Sequence, residues 1–245
     1  MIYPPVLRAR AQRKLKQIQS ADLVIGVPSY RNHNTTLAVA RTALAGVQRH
    51  YPSLRVVLIN ADAGEAADTR RAVRRLALHA KNGSEISNHV LSERYTGPLG
   101  SGSAIAAVLD AALALDARAT VVFDSDTASI DPDWLAGLAH LVLDDRADLV
   151  LPRYRYWLQS DGLLSDLVFF PLFRALWGQS VRYPLATDFA IGSHLATALL
   201  DEDVWGTAVA GQGVMPWLTT FATVHGWRLA QAAVGEKSTE LAMPG

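Results

Sequence analysis

The sequence predicts an α/β fold, a mostly parallel sheet with helices laid over it. Three observations lead there. Short apolar runs alternate with segments of helical period through the first 150 residues, the pattern of parallel strands joined by crossover helices. The chain has 245 residues and half of them are hydrophobic, which is ample for a sizeable core. No cysteine is present, so the fold has no disulfide scaffold, and thiolate zinc and thiol nucleophiles are excluded with it.

The elements follow in order. Residues 1–20 form a basic segment with Arg8, Arg10, Arg13, Lys14 and Lys16, expected as a solvated helix or frayed terminus. A single domain is expected over 21–245. Residues 23–27 (LVIGV) read as a strand buried on both faces and ended by Pro28. Residues 36–47 carry Leu37, Ala40, Leu44 and Val47 at helical spacing, with Asn34 or Thr35 as N-cap. A second strand is expected at 55–60 (RVVLIN). A helix should follow at 65–81, with Arg70, Arg71, Arg74 and Arg75 on its solvated face. Residues 104–115 form a helix, 119–123 (ATVVF) a buried strand, and Asp131-Pro132 opens another helix with an acid at N-cap and proline at N1. Residues 148–151 are a strand, 154–161 a loop, 163–177 and 217–225 helices, and 227–234 a returning strand. The tryptophans at 157, 177, 205, 217 and 227 are expected in core and loop-anchoring positions.

Charge and hydropathy restrict the function. The 23 basic and 23 acidic side chains cancel, which argues against a nucleic-acid binder that works by counterion release. The longest apolar run, 167–173, is far short of the ~20 residues a membrane span needs. The first twenty residues contain no apolar stretch of the secretory kind, so a cytoplasmic protein is expected. The seven histidines form no HExxH, and no G-x-S-x-G elbow occurs.

In an open α/β sheet, ligands collect beyond the carboxyl ends of the strands. Pro28-Ser29-Tyr30-Arg31-Asn32, Asn60-Ala61-Asp62-Ala63-Gly64 and Asp124-Ser125-Asp126 follow three strands and are expected on one rim. Two carboxylates one residue apart at a buried strand's end call for a counter-charge, and Mg²⁺ or Mn²⁺ shared with substrate phosphates supplies one. An acidic turn in which Asp126 or Ser129 caps a helix is the competing reading. Gly97-Pro98-Leu99-Gly100-Ser101-Gly102-Ser103 leads into a helix and would let backbone N–H groups approach phosphate oxygens. It is neither a dinucleotide fingerprint nor a Walker loop, and a plain surface loop would look similar.

Together with residues 181–189 (VRYPLATDF), Pro28-Ser29-Tyr30, Asp62 and Asp124-Ser125-Asp126 resemble GT-A glycosyltransferases, nucleotide-diphospho-sugar transferases with a Rossmann-like sheet. Within them the sequence is similar to the retaining synthases of mannosylglycerate, glucosylglycerate and glucosyl-3-phosphoglycerate. The likeness runs from about residue 22 to residue 237, and DSDTASIDPDWL, FFPLFRALWGQSVRYPLATDFA and WLTTFATVHGWRLAQAAVGEK carry most of it.

The resemblance implies a hexosyltransferase moving glucose or mannose from a UDP- or GDP-sugar to a small hydroxy acid such as glycerate or 3-phosphoglycerate, with retention. It implies that Pro28, Ser29, Tyr30 and Asp62 hold base and ribose, and that Gly100, Ser101 and Gly102 lie along the phosphates. Asp124, Ser125 and Asp126 would serve ribose and metal, the metal ligands being Asp126 and Asp124. Arg155, Asp161 and Ser165 would bind the acceptor. Leu185 would present its carbonyl to the anomeric carbon, and Asp188 would be the acid at the donor sugar.

The sequence departs from the family at several places. Ser101 stands where members carry a lysine, Ala186-Thr187 replaces Gly-Gly, Met215 replaces an acid, and Thr239 replaces a metal-binding histidine, with Glu240 or His225 as stand-ins. These departures keep a catalytically silent nucleotide-sugar-binding domain as the alternative. A sugar-phosphate nucleotidyltransferase ranks third, because Pro28-Ser29-Tyr30 lacks that class's basic Gly-rich loop. Base, sugar, acceptor and oligomeric state, a homodimer included, stay open.

Overall fold

The computed structural model describes residues 4–65, 67–76, 89–157 and 160–239, without the side chain of Asp161. Its strands are β1 (Leu23–Gly26), β2 (Val56–Asp62), β3 (His89–Arg94), β4 (Ala119–Val122), β5 (Leu149–Tyr154), β6 (Phe189–Gly192) and β7 (Leu229–Val234). They form one sheet in the order β3-β2-β1-β4-β6-β5-β7. Strand β6 runs antiparallel to both β4 and β5, and the remaining pairings are parallel. The α/β, mostly parallel architecture is therefore the one expected.

Helices cover both faces. On one side α2 (His33–His50) and α5 (Pro132–Leu143) bury Val39, Val47, Leu135 and Leu138 against β1 and β4. On the other side α4 (Ser101–Ala114), α8 (Ser193–Leu200) and α9 (Val214–Val224) close over Phe189, Ile191 and Leu149. The basic segment contains α1 (Ala9–Ile18), which seats Ala11 and Leu15 in a third cluster with Val108 and Leu115 of the α4 region. Its polar face reaches Glu93 through Arg10 and Lys14. Asp131 caps α5 as expected, its carboxylate accepting the N–H of Asp133 at 2.9 Å.

Several boundaries differ from expectation. α2 begins at His33, with Asn32 and not Asn34 or Thr35 at the cap position. β2 continues to Asp62, because Ser29 bridges alongside it and extends the ladder. β5 continues to Tyr154 by pairing with β7 over its whole length. The described part of the helix expected at 65–81 is α3 (Asp68–Arg75), and residues 77–81 lie outside the described residues. Its arginines are not a uniform solvated face: Arg70 is buried and Arg74 pairs with Glu93 at 2.9 Å. β3, an edge strand with four polar residues of six, and β6 were not among the strands expected. The stretch expected as one helix at 163–177 runs from 160 to 177 as α6 (Ser160–Leu164), a π-helical turn (Ser165–Phe169) and α7 (Phe170–Trp177).

Candidate active site

The sheet order reverses its winding between β1 and β4. At such a switch point the loops leaving two neighbouring strands diverge and open a crevice beyond their carboxyl ends. A cavity of about 520 Å³ lies there. One wall is Pro28, Ser29, Tyr30 and Asn32, and the facing wall is Asp124, Ser125 and Asp126, with Gly100 and Ser101 at the start of α4. Of the three loops expected on one rim, those after β1 and β4 face each other here, and the one after β2 contributes Ala63 alone to the lining.

Buried polar contacts hold the first wall. Asn60, fully buried, donates its amide to Val27 O at 2.7 Å and to Ser29 Oγ at 2.8 Å, and accepts from Ser92 Oγ. Ser29 in turn donates to Asp62 at 3.1 Å. Tyr30 projects from this braced turn, 51% exposed, with the Arg31 guanidinium 5.1 Å from its ring centre. An aromatic face standing open at a cavity rim suits stacking on a flat heterocycle.

Asn32 ties the walls together. Its amide nitrogen donates to Ser125 Oγ and, at 2.7 Å, to Asp126 Oδ1, while its oxygen accepts from the Tyr30 N–H and the Thr36 hydroxyl. Behind the second wall stands Lys237, almost wholly buried. Its ammonium lies 2.7 Å from Asp188 Oδ2 and 3.6 Å from Asp124 Oδ2. Burial works against the Lys237 charge, but Asp188 and Asp124 more than offset it and hold its pKa above the ordinary lysine value. Burial likewise raises the Asp124 carboxyl, yet Lys237, the Thr187 hydroxyl at 2.7 Å and the Asp126 N–H outweigh it, so its pKa is lowered. Burial first, and then Asp188, push the Tyr154 phenol well above its usual range, so it stays a neutral donor to Asp188.

The chemistry of these donors fits a hard divalent cation that arrives with a diphosphate. Asp124 and Asp126 present carboxylate oxygens on one wall, with hydroxyls from Ser125 and Thr187 beside them. One or two carboxylates completed by substrate oxygens is how Mg²⁺ is commonly held. Among the described residues no three His, Cys, Asp or Glu side chains cluster as a self-sufficient metal cage.

Other expected site residues fall elsewhere. Asp62 does not line the cavity: it lies behind Ser29 and pairs with Arg70 and the Gly64 N–H. Asp188 is fully buried behind Asp124, whose N–H it accepts at 2.8 Å, and does not reach the cavity surface. Leu185 is half-buried in the turn before Asp188, whereas Thr187 lines the cavity. Gly102 is buried and its N–H donates to Gly211 O at 3.0 Å, an atom that also accepts from Ser101 Oγ. The glycines at 100 and 102 are required by backbone packing, since a Cβ would meet Ala210 O at 2.4 Å and Val209 O at 1.8 Å.

Arg155 lines a second cavity of about 760 Å³ together with Arg153, Tyr154, Arg182 and Asp166. Ser165 is buried in the π-turn and does not line that cavity, and the Asp161 side chain lies outside the described residues. Thr239 forms an antiparallel bridge with Thr127, which brings the 236–239 segment against the Asp124–Asp126 turn. Glu240 lies outside the described residues, and His225 bonds to Phe221 O at the end of α9.

Sequence reasoning missed three functional candidates. Asn32 is a polar residue in an already suspected loop, and that was its available signal. Lys237 and Gln212, which also lines the cavity, come from segments more than eighty residues beyond Asp126; Lys237 ends a stretch that carries the family likeness but was given no role, and nothing local marks Gln212.

No protein-family model matches the chain, and no curated protein matches it by sequence. Solved structures do. Glucosyl-3-phosphoglycerate synthase from Mycobacterium tuberculosis, in complex with Mn²⁺, UDP and glucosyl-3-phosphoglycerate, aligns over 94% of this chain and 76% of that one, with TM-score 0.67 and 22% identity. The same enzyme with Mn²⁺, UDP-glucose and phosphoglyceric acid aligns over 96% and 76%, at TM-score 0.66 and 22% identity. Its complex with Mg²⁺ and UDP aligns over 98% and 78%, at TM-score 0.63 and 19% identity. The chain has the GT-A fold of these enzymes.

Proposed function

We propose that this protein is a nucleotide-sugar-dependent hexosyltransferase, moving glucose or mannose from a nucleoside diphosphate sugar to a small hydroxy acid such as glycerate or 3-phosphoglycerate, with retention. The observation that carries the reading is the switch-point cavity, with the open Tyr30 ring on one wall and the Asp124-Ser125-Asp126 turn on the other. The solved GT-A neighbours support it, being complexes with UDP or UDP-glucose, Mn²⁺ or Mg²⁺, and phosphoglyceric acid or its glucosylated product.

In this reading Pro28, Ser29 and Tyr30 seat the base and ribose, and Asp62 acts through Ser29 without touching ligand. Asp126, with Asp124, would hold Mg²⁺ or Mn²⁺, which when bound offsets the charge of the departing diphosphate. Asn32 fixes the Asp126 carboxylate toward that place. Lys237 keeps Asp124 ionised and holds Asp188 in place through the 2.7 Å contact, so Asp188 acts as a positioning acid behind the donor. Thr187 and the Leu185 turn border the sugar, and Arg155 offers a cation to the acceptor's carboxylate or phosphate. The acceptor hydroxyl attacks the face the diphosphate leaves, and a leaving-group oxygen takes its proton. Positioning and fixed charge then supply most of the barrier reduction.

A nucleotide-sugar-binding domain without catalysis is the second reading. It is favoured by the burial of Asp188 and by the Gly102 N–H being engaged with Gly211 O. Calorimetric titration with UDP- and GDP-hexoses, with and without Mn²⁺, followed by product analysis on glycerate and 3-phosphoglycerate, separates the two. We expect Mn²⁺ to strengthen binding and Asp126→Ala to abolish that gain. Binding with no product for any hydroxy acid would favour the second reading, and absence of nucleotide-sugar binding would remove both.

A further inference from the structure

Asn32 occupies the N-cap position of α2 and lines the switch-point cavity between its two walls. A side-chain amide has two N–H donors and an oxygen with two lone pairs, and here all four are engaged. The oxygen accepts from the Tyr30 N–H at 3.1 Å and from the Thr36 hydroxyl at 2.9 Å, on the wall that carries Tyr30. The nitrogen donates to the facing wall, to Ser125 Oγ and, at 2.7 Å, to Asp126 Oδ1. Turning the amide over would set its oxygen against the Asp126 carboxylate, so its orientation is fixed. The Asn32 backbone is anchored too, because its carbonyl accepts the Thr36 N–H at 3.0 Å and the Thr36 hydroxyl at 2.8 Å.

The backbone beside this amide is held against its own preference. Ser29 is tied to β2 through Ala61 O at 3.0 Å and the Ala63 N–H at 2.9 Å, and the chain then leaves the sheet. Between Tyr30 and Asn32, Arg31 has φ 57°, the left-handed region that a residue with a Cβ disfavours. The bond from the Tyr30 N–H to Asn32 Oδ1 closes the turn around Arg31 and holds it there. The direction in which the exposed Tyr30 ring stands therefore depends on Asn32, and so does the direction of the Asp126 carboxylate.

We infer that Asn32 is a positioning residue shared by both halves of the site: one amide aims the Tyr30 ring at the base and the Asp126 carboxylate at the cation. This rests on the reading of the cavity as a nucleotide site. Base binding and cation capture are then preorganised together, since one fixed side chain removes an ordering cost from each. Without Asn32, Arg31 relaxes and carries Tyr30 with it, while Asp126 loses its donor. The two duties can be separated at Arg31. Glycine adopts positive φ freely, so Arg31→Gly lets the turn keep its shape without the Asn32 oxygen. No change at 31 returns a donor to Asp126.

Calorimetry on the full chain tests this as a double-mutant cycle. Uridine and guanosine without metal probe the base wall, and UDP and GDP with and without Mn²⁺ probe the cation wall. The Asn32 side chain makes no capping bond to α2, so Asn32→Ala leaves the helix its start. In the parent, Asn32→Ala should weaken nucleoside binding about 5-fold and shrink the Mn²⁺ gain for the diphosphate about 10-fold. In an Arg31→Gly background the same change should cost nucleoside binding less than about 2-fold, yet still shrink the Mn²⁺ gain about 10-fold. An equal loss of nucleoside affinity in both backgrounds, or a Mn²⁺ gain that survives Asn32→Ala, would overturn the inference while leaving nucleotide binding in place. A parent chain that binds none of the four ligands would remove the nucleotide-site reading itself, and this role of Asn32 with it.

Discussion

Lys237 and the residues it touches set the electrostatics of the rim. Its ammonium serves two carboxylates, Asp124 and Asp188, and lies about 5 Å from the ring centres of Tyr154 and Trp157. Replacing it with methionine keeps much of the volume but leaves buried Asp188 without its counter-charge and removes the cation beside Asp124. Breaking a buried pair from one side costs about 3–5 kcal/mol. Lys237→Met should therefore lose stability of that order in denaturant unfolding, whereas exposed Lys16→Met should change it little. The Asp124 and Asp126 carboxylates were legible in the sequence because two acids ending an apolar strand are costly without a purpose. Their buried neighbour was not, since a lysine just past the end of β7 looks like any solvated lysine.

At the scale of elements, the glycine-rich entry to α4 illustrates how one signal admits two physical causes. Glycines before a helix permit either a phosphate or another backbone to come close. Here the 208–213 segment comes close, with Val209 O and Ala210 O where side chains would begin. Gly102→Ala decides between them. In a helix free of contacts the change would stabilise by roughly 0.5–1 kcal/mol. Against a fixed carbonyl it should instead cost about 1–3 kcal/mol, visible as a lowered melting temperature without any ligand. Strand β3 teaches a related lesson: an edge strand with four polar residues of six becomes a strand through its neighbour β2, not through its own composition.

Across the whole molecule, the far edge of the sheet is tied by Arg228 at the start of β7, which holds Asp148 beside β5 through its backbone N–H at 2.8 Å and its guanidinium at 2.7–3.0 Å. The Arg228 side-chain bonds, partly opposed by burial, hold the Asp148 carboxyl below its ordinary value of 3.8. A depressed folded-state pKa means stability that is present above the unfolded value and is lost as pH falls through the folded one. Asp148→Asn should thus cost about 1 kcal/mol at pH 7, after allowance for the half-exposed arginine. The gap between parent and variant should close below the ordinary carboxylate range, as read by chemical unfolding at each pH. A gap that persists in acid would mean the bond's geometry, not its charge, ties the edge.

Local sequence was enough to read the layer architecture, the places where the cavity-lining loops leave β1 and β4, and the acidic turn at Asp124-Ser125-Asp126. These follow from local period and composition, which act over a few residues. Tertiary structure alone decided which polar residues face the cavity. Asp62 and Asp188 turn inward to Arg70 and Lys237, Asn32 crosses from one loop to the other, and Gly102 meets a carbonyl more than a hundred residues away. The physical reason is that an ionised or hydrogen-bonding group goes where its partner is, and in a parallel sheet wound through crossover helices that partner is remote in the chain.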